Sequence, residues 1–345
     1  MLVSLEMKLK KSVSFWSYFL SYANGRMNVE DMLAAIAKSG ATGVEVLPNN
    51  FAMCGYPEYT QDDCARWKEL LKKYNLEPTC LSSVIICLET LECGADTTNL
   101  PNLHIGASRQ EIYDLFKNEI NLTHDLGFKR MRHPLMAGVP MDIIEELLPM
   151  AEDYGIALDM EIHSPYQFDG PEVDRQIEMI ERSNLKLSGL IPDLNAVQDR
   201  LPKCQRDRVL AAGADEKIIR EVDAALLAHE NMPQISAKLM KEAKDDATIE
   251  YIKTASLLKP DSLEKLRPLA KYVHYFHGKF FDIDENLNET CLDYPAALKF
   301  LDSIGYDGWI CAEYEGWNSH GLNGLEEVEQ VERYVKMIEK IEKEI

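Results

Sequence analysis

The stretch IALDMEIHSP, residues 156–165, sets the reading of the whole chain: an apolar run delivers a carboxylate, Glu161, at its carboxyl end. Three later stretches repeat the arrangement. LKLSGLIPDLN (185–195) leads to Asp193, YVHYFHGKFF (272–281) carries His277, and GYDGWICAEYEG (305–316) carries Glu313. Parallel strands buried on both faces are near-continuous apolar runs, and the reactive groups of a (β/α)8 barrel sit at the carboxyl ends of several different strands. The four runs therefore point to the second half of such a barrel.

Working outward from these runs, the remaining sequence alternates strand and helix signals. KKSVSFW (10–16), ATGVEVLP (41–48), EPTCLSSVI (77–85) and FKRMRHPLM (128–136) supply the first four strands. The helices between them carry start and stop signals: Asn28 with Asp31 and a closing Gly40, Thr60 with Asp63, and the capping box Ser108 and Glu111 after a loop near 90–106. Further helices are expected over roughly 141–154, from Gly170 and Pro171 onward, and over the charged tail EEVEQVERYVKMIEKIEKEI, packed through Val328, Val331, Val335 and Ile338. Strands alternating with helices of this length imply βαβ units and a parallel sheet. The expectation is a single α/β unit over 1–345, a (β/α)8 TIM barrel. Residues 196–271 break the rhythm, with helical patterns and no convincing strand, too long for an ordinary connection. They read as a helical insertion between strands six and seven on the catalytic rim, either a wall of the pocket or a docking surface.

Composition bounds the function. A formal charge of −21 argues against a nucleic-acid partner, since such binding rests on Lys and Arg neutralising phosphates. Eight cysteines show no CxxC pairing and several lie in apolar runs, as expected of reduced core thiols in a cytoplasmic protein. Ser12, Ser14, Ser17 and Ser21 break up the apolar start, which reads as a first strand rather than a signal peptide. No apolar run reaches the roughly 18 residues of a spanning helix, so no membrane role is expected.

Two Glu, one Asp and one His form an oxygen-rich donor set that suits Mn²⁺ or Mg²⁺ better than a structural zinc. An unpaired carboxylate such as Glu161 at the end of a buried strand is costly without a cation or hydrogen bonds. Asp193 also fits a helix N-cap. Alternation sets His277 and His274 on opposite faces, and Glu313 and Glu315 on the same face; either of each pair fits the ligand role on these grounds. His133, at the end of RMRHP, is a candidate proton-transfer group, with His163 as its rival. Arg132 and Lys279 are candidate sugar contacts or members of a solvated rim. Trp16, Phe281 and Trp317 are candidate aromatic walls.

GYDGWICAEYE and HGKF resemble motifs of the xylose-isomerase-like TIM-barrel superfamily of sugar isomerases and epimerases, in which a divalent metal is held by Glu, Asp, His and Glu on strands five to eight. The resemblance selects Glu313 over Glu315, and His277 with Lys279, giving Glu161, Asp193, His277 and Glu313 as implied ligands. Glu161 and Glu313 are also candidate catalytic groups, and Glu315 a candidate substrate contact. The chain departs from the superfamily after Asp193, where Leu194, Asn195 and Ala196 stand in place of a common His. Length, insertion and the RHP and EIHSP segments most resemble the α subunit of bacterial C-glycoside deglycosidases. That resemblance implies a lyase that opens the C–C glycosidic bond of a 3-oxo-C-glucoside by enolisation and β-elimination, working as a heteromer with a small β-sandwich partner. A metal-dependent sugar or inositol-derivative isomerase or epimerase is the alternative, and a non-catalytic sugar-binding scaffold subunit the second.

Overall fold

The computed structural model describes residues 8–48, 55–83, 85–88, 103–134, 141–183, 186–316 and 326–345. Eight parallel strands form one sheet: β1 Lys10–Ser14, β2 Gly43–Val46, β3 Glu77–Ser82, β4 Arg130–Pro134, β5 Ala157–Ile162, β6 Leu190–Pro192, β7 Tyr275–Phe280 and β8 Trp309–Tyr314. Their order is β6-β5-β4-β3-β2-β1-β8-β7, and isolated bridges Leu190–Val273 and Asp193–His277 join the two ends. The sheet is thus a nearly closed barrel ringed by helices, the (β/α)8 arrangement the sequence implies.

Local chemistry fixes the helix boundaries where the sequence placed them. Asn28, Thr60 and Ser108 each accept from the third residue on, and Asp31, Asp63 and Glu111 return the bond, so three orphan N-terminal donors are satisfied reciprocally. The C-terminal helix Glu326–Glu342 buries Val331, Tyr334, Val335 and Ile338 against the barrel, with Val328 half-buried. One expectation fails: part of the loop near 90–106 is a two-stranded parallel ladder of Ile86–Leu88 with Leu103–Ile105. Three-residue strands are too short to leave a periodic signature.

Alternation along each strand divides the chain between two environments. Tyr275, His277 and Lys279 face the barrel axis, where Tyr275 Oη bonds Ser12 Oγ at 2.7 Å and Thr79 Oγ1 at 2.8 Å. The intervening Phe276 and Phe280 join the large apolar layer between sheet and helices. Between β6 and β7, four helices over Lys203–Ala211, Glu216–Leu227, Met232–Leu239 and Asp246–Leu257 pack around their own apolar cluster, centred on Val209, Val222, Leu239, Tyr251 and Ile252. The five cysteines whose side chains are described, Cys64, Cys80, Cys204, Cys291 and Cys311, are free and buried. No helix among the described residues is long and apolar enough to cross a membrane.

Candidate metal centre

Glu161 ends β5, Asp193 follows β6, and His277 and Glu313 lie in β7 and β8, all directed to the barrel axis at one end. The parallel register places Glu161 opposite Ile191 and Glu313 opposite Lys279, and the bridge from Asp193 to His277 draws β6 and β7 together. One ligand atom from each of the four lies within 4.8 Å of all the others, and all four residues are buried. Ligands at about 2.1 Å on opposite sides of one small divalent ion stand about 4.2 Å apart, so a contraction of a few tenths of an ångström fits them to a common cation.

Charged neighbours hold the cluster. Arg132 donates to Glu161 and to the Ser83 carbonyl. Lys279 reaches Glu313, Glu315 and Asp193. Trp16 Nε1 donates to the same Glu315 oxygen at 2.9 Å. His277 sits between two carboxylates, with Nδ1 2.7 Å from Glu161 and Nε2 3.0 Å from Glu45. Glu45 was not among the residues singled out in the sequence. GVEV (43–46) carries an acid inside an apolar run, as the run ending in Glu161 does, and that was the available signal.

Electrostatics follow from this packing. Burial pushes the His277 pKa down, but Glu45, Glu313 and Glu161 outweigh it and hold the ring protonated. Burial raises the Glu161 carboxyl, yet Arg132 and His277 bring it well below the usual range. Asp193 is pushed up to about 6, by burial first, opposed by Lys279 and reinforced by Glu313 and Glu161. Five carboxylates thus face three cations, which leaves two negative charges unmatched. Asp193 Oδ1 caps the turn at Leu194–Val197 by accepting from Asn195 N, so the N-cap and ligand readings of this residue both describe it. Its Oδ2 and Glu45 Oε1 are buried without hydrogen bonds. Buried carboxylate oxygens without hydrogen bonds, Asp193 Oδ2 being held only by the Lys279 ion pair at 3.4 Å, in an under-neutralised carboxylate and imidazole cluster fit a divalent cation.

The structure brings Arg132, Lys279 and Glu315 to the four residues, and buries the first two rather than leaving them on a solvated rim. His133 is set apart. It neighbours the inward Arg132, so alternation turns it away from the axis; it is fully buried, with neither ring nitrogen hydrogen-bonded. Burial lowers its pKa to about 4. His163 stands instead at the mouth, half-buried, and its Nδ1–H donates to the Ser164 carbonyl, which leaves Nε2 as an acceptor. His274 lies 3.4 Å from Asp159, away from the cluster. Trp317 falls outside the described residues.

A cleft of about 480 Å³ lies between His163, Asn195 and Phe281 on the barrel and residues of the helical segment such as Leu201, Arg208 and Leu257; His163 and Asn195 follow Glu161 and Asp193 by two residues, but none of the four cluster residues lines it. A model of the family described as "Xylose isomerase-like TIM barrel" matches residues 33–341. The 3'-dehydrocarminate deglycosidase alpha subunit of a Microbacterium species is 27% identical over 228 residues, 61% of this chain and 64% of that protein. The C-glycoside deglycosidase alpha subunit of Arthrobacter globiformis is 23% identical over 324 residues, 89% of this chain and 84% of that protein. Among solved structures, D-allulose 3-epimerase from Methylomonas sp. in complex with D-allulose shares the fold, with a TM-score of 0.55 at 12% identity over 97% of each chain.

Proposed function

The chain belongs to the xylose isomerase-like TIM-barrel family, and from that premise we propose that it is the metal-bearing subunit of a C-glycoside deglycosidase, a carbon–carbon lyase acting on 3-oxo-C-glucosides. The observation that carries this reading is the buried set of Glu161, Asp193, His277 and Glu313, in a chain whose relatives over most of its length bear that name.

A C–C glycosidic bond offers no lone pair to protonate, so a carboxylate pair cannot hydrolyse it as in O-glycosides. A C3 ketone acidifies the C2 hydrogen and opens an elimination route. Glu161, Asp193, His277 and Glu313 would hold a divalent cation, Mn²⁺ or Mg²⁺, which when bound would supply Lewis-acid stabilisation of an oxyanion. His163 is the proton acceptor: with Nδ1–H committed to Ser164, Nε2 takes the C2 proton. The electron pair then forms C1=C2 as the C1–aglycone bond breaks, C3=O is regenerated, and the proton held on His163 passes to the departing carbon. Arg132 and Lys279 fix the orientation of Glu161 and Glu313, and Glu315, steadied by Trp16, accepts from a sugar hydroxyl. His133, buried and turned away, serves packing. In an epimerase, Glu161 and Glu313 would exchange protons with substrate, a role that their ion pairs with Arg132 and Lys279 oppose.

The relatives are named alpha subunits, and the proposal includes a small β-sandwich partner in a cytoplasmic heteromer. The Mn²⁺-loaded chain, with that partner, is expected to release free aglycone from a 3-oxo-C-glucoside and to leave a free ketose unchanged. Interconversion of ketoses without aglycone release makes the protein an epimerase instead. Glu161→Ala and Glu313→Ala should each lose bound Mn²⁺ by metal analysis, and full occupancy in both would sink the site. His163→Ala should lower kcat by about 10²- to 10⁴-fold. An unchanged rate there, with loss in His133→Phe, would return the base to His133.

A further inference from the structure

The helical segment leaves the barrel after Asp193 and returns ahead of β7, and Asp261 joins its two ends. The Asp261 backbone N–H donates to the Ala196 carbonyl at 2.8 Å, inside the turn Leu194–Val197 that Asp193 caps. Its side chain is 1% exposed, and its two oxygens serve different ends. Oδ1 accepts from Ser262 N at 2.7 Å and from Lys265 Nζ at 2.8 Å, both close along the chain. Oδ2 instead accepts from Phe168 N at 2.7 Å, across 93 positions. Capping of the local turn makes no use of that second bond. Phe168 ends the loop that begins at His163, two residues beyond Glu161, and its ring is buried in the main core. Tyr166 N donates to the His163 carbonyl at 3.0 Å, so the loop is a tight turn, and a shift of its far end reaches His163. Because His163 Nδ1 donates to the loop's own Ser164 carbonyl, the ring moves with the backbone. That ring is near enough to Glu161 and Asp193 to favour the ionised form of both.

We propose that Asp261 is a positioning residue: by tying the far end of the His163 loop to the turn that follows Asp193, it sets where the His163 imidazole stands relative to the metal cluster. The inference rests on the lyase reading for the role of His163 as proton acceptor. A hydrogen bond to a carboxylate is among the stronger ones available to a backbone N–H, and this one reaches the only loop of the pair that Asp261 does not already hold through its own main chain. Any residue other than proline at 261 keeps the bond to Ala196, so a side-chain substitution loosens the His163 loop and leaves the Asp193 turn in place. A proton acceptor displaced by about 1 Å costs up to about a hundredfold in rate.

The test compares variants of the Mn²⁺-loaded chain, with its partner, on a 3-oxo-C-glucoside. Asp261→Ala should lower kcat by about tenfold to a hundredfold, with KM and Mn²⁺ affinity as in the unaltered chain. Asp261→Ser, which still offers the local turn an acceptor but is too short to reach Phe168, should behave like the alanine variant and stands in for it if that variant does not fold. Asp261→Asn keeps an acceptor for Phe168 N and should recover most of the rate. Lys265→Met removes the ion pair on Oδ1 without touching the Phe168 bond, and should leave kcat unchanged. Independent of turnover, hydrogen exchange read by mass spectrometry over residues 163–170 should quicken in the alanine and serine variants and not in the asparagine variant. Full kcat in both Asp261→Ala and Asp261→Ser, equal losses in the asparagine variant, or a fall in Mn²⁺ affinity matching the fall in rate overturns the proposal. If exchange responds as expected but the unaltered chain cleaves no 3-oxo-C-glucoside, the tie to the His163 loop stands and the lyase reading falls. Cleavage by the unaltered chain, with rate and exchange unmoved by the substitutions, keeps the lyase and removes the positioning role.

Discussion

At the scale of single residues, His133 and Glu45 show how face, rather than type, assigns a role. His133 is held neutral by burial, with a folded pKa of about 4 against an unfolded value near 6.5. The unfolded chain therefore takes up that proton first, and the stability contributed by the neutral ring, complete above about pH 6.5, is lost as pH falls through 4. The span amounts to about 3 kcal/mol. Asp193 has the opposite sign: raised to about 6, its contribution is present at low pH and disappears as pH rises through that value. The two overlap, so comparison with His133→Phe isolates the histidine. Urea midpoints between pH 4 and 7 should depend less steeply on acid in the variant, and identical slopes would contradict the assignment. Glu45 instead reaches His277 from β2 and points its Nδ1 at the cluster. Partners of this kind are worth about 10- to 100-fold in metal affinity, so Glu45→Gln should weaken Mn²⁺ binding by that factor in a calorimetric titration.

At the scale of elements, HGKF in β7 shows what a two-residue period demands. His277 and Lys279 face the axis, so Gly278 must face the C-terminal helix. A Cβ there would lie 1.9 Å from Tyr334 Oη and 2.9 Å from Cζ. Gly278→Ala is expected to destabilise by about 1–3 kcal/mol through overpacking. Removing the hydroxyl relieves the closer clash, so Tyr334→Phe should recover part of that loss, and additive effects in the double variant would refute the contact. The glycine between two functional residues is thus a packing requirement of the helix that seals the strand. The 203–257 helices follow the same rule in reverse: an apolar cluster of their own lets them stand over the barrel mouth and form its outer wall.

For the whole molecule, the unmatched negative charge at the barrel's end couples metal, protons and stability. A cation that binds the native state stabilises it by about 2.7 kcal/mol at a hundredfold excess over Kd. Saturating Mn²⁺ should therefore raise Tm by several degrees, and Glu161→Ala should abolish the shift; an equal shift in that variant would place the ion elsewhere. His277 is protonated between its carboxylates, and metal ligation requires that proton to leave. Mn²⁺ affinity should accordingly rise with pH by up to about tenfold per unit, and a flat profile between pH 6 and 8 would show that His277 is not a ligand.

Sequence by itself determined the eight strands and the three capping boxes, because buried parallel strands and helix starts are written in local periodicity and in residues three apart; periodicity left His277 beside His274 and Glu313 beside Glu315, and only the family resemblance chose between them. It also carried the family, through motifs around Glu313 and His277. Only the tertiary structure decided that Glu45 joins the site, that Arg132 and Lys279 hold carboxylates inside the barrel, and that His163 stands at the mouth while His133 faces the helix layer. These depend on the closure of β6 onto β7, on inter-strand register, and on which face each strand turns inward. Such relations join residues more than a hundred positions apart, as in the bond from Glu45 to His277, and no local pattern encodes them.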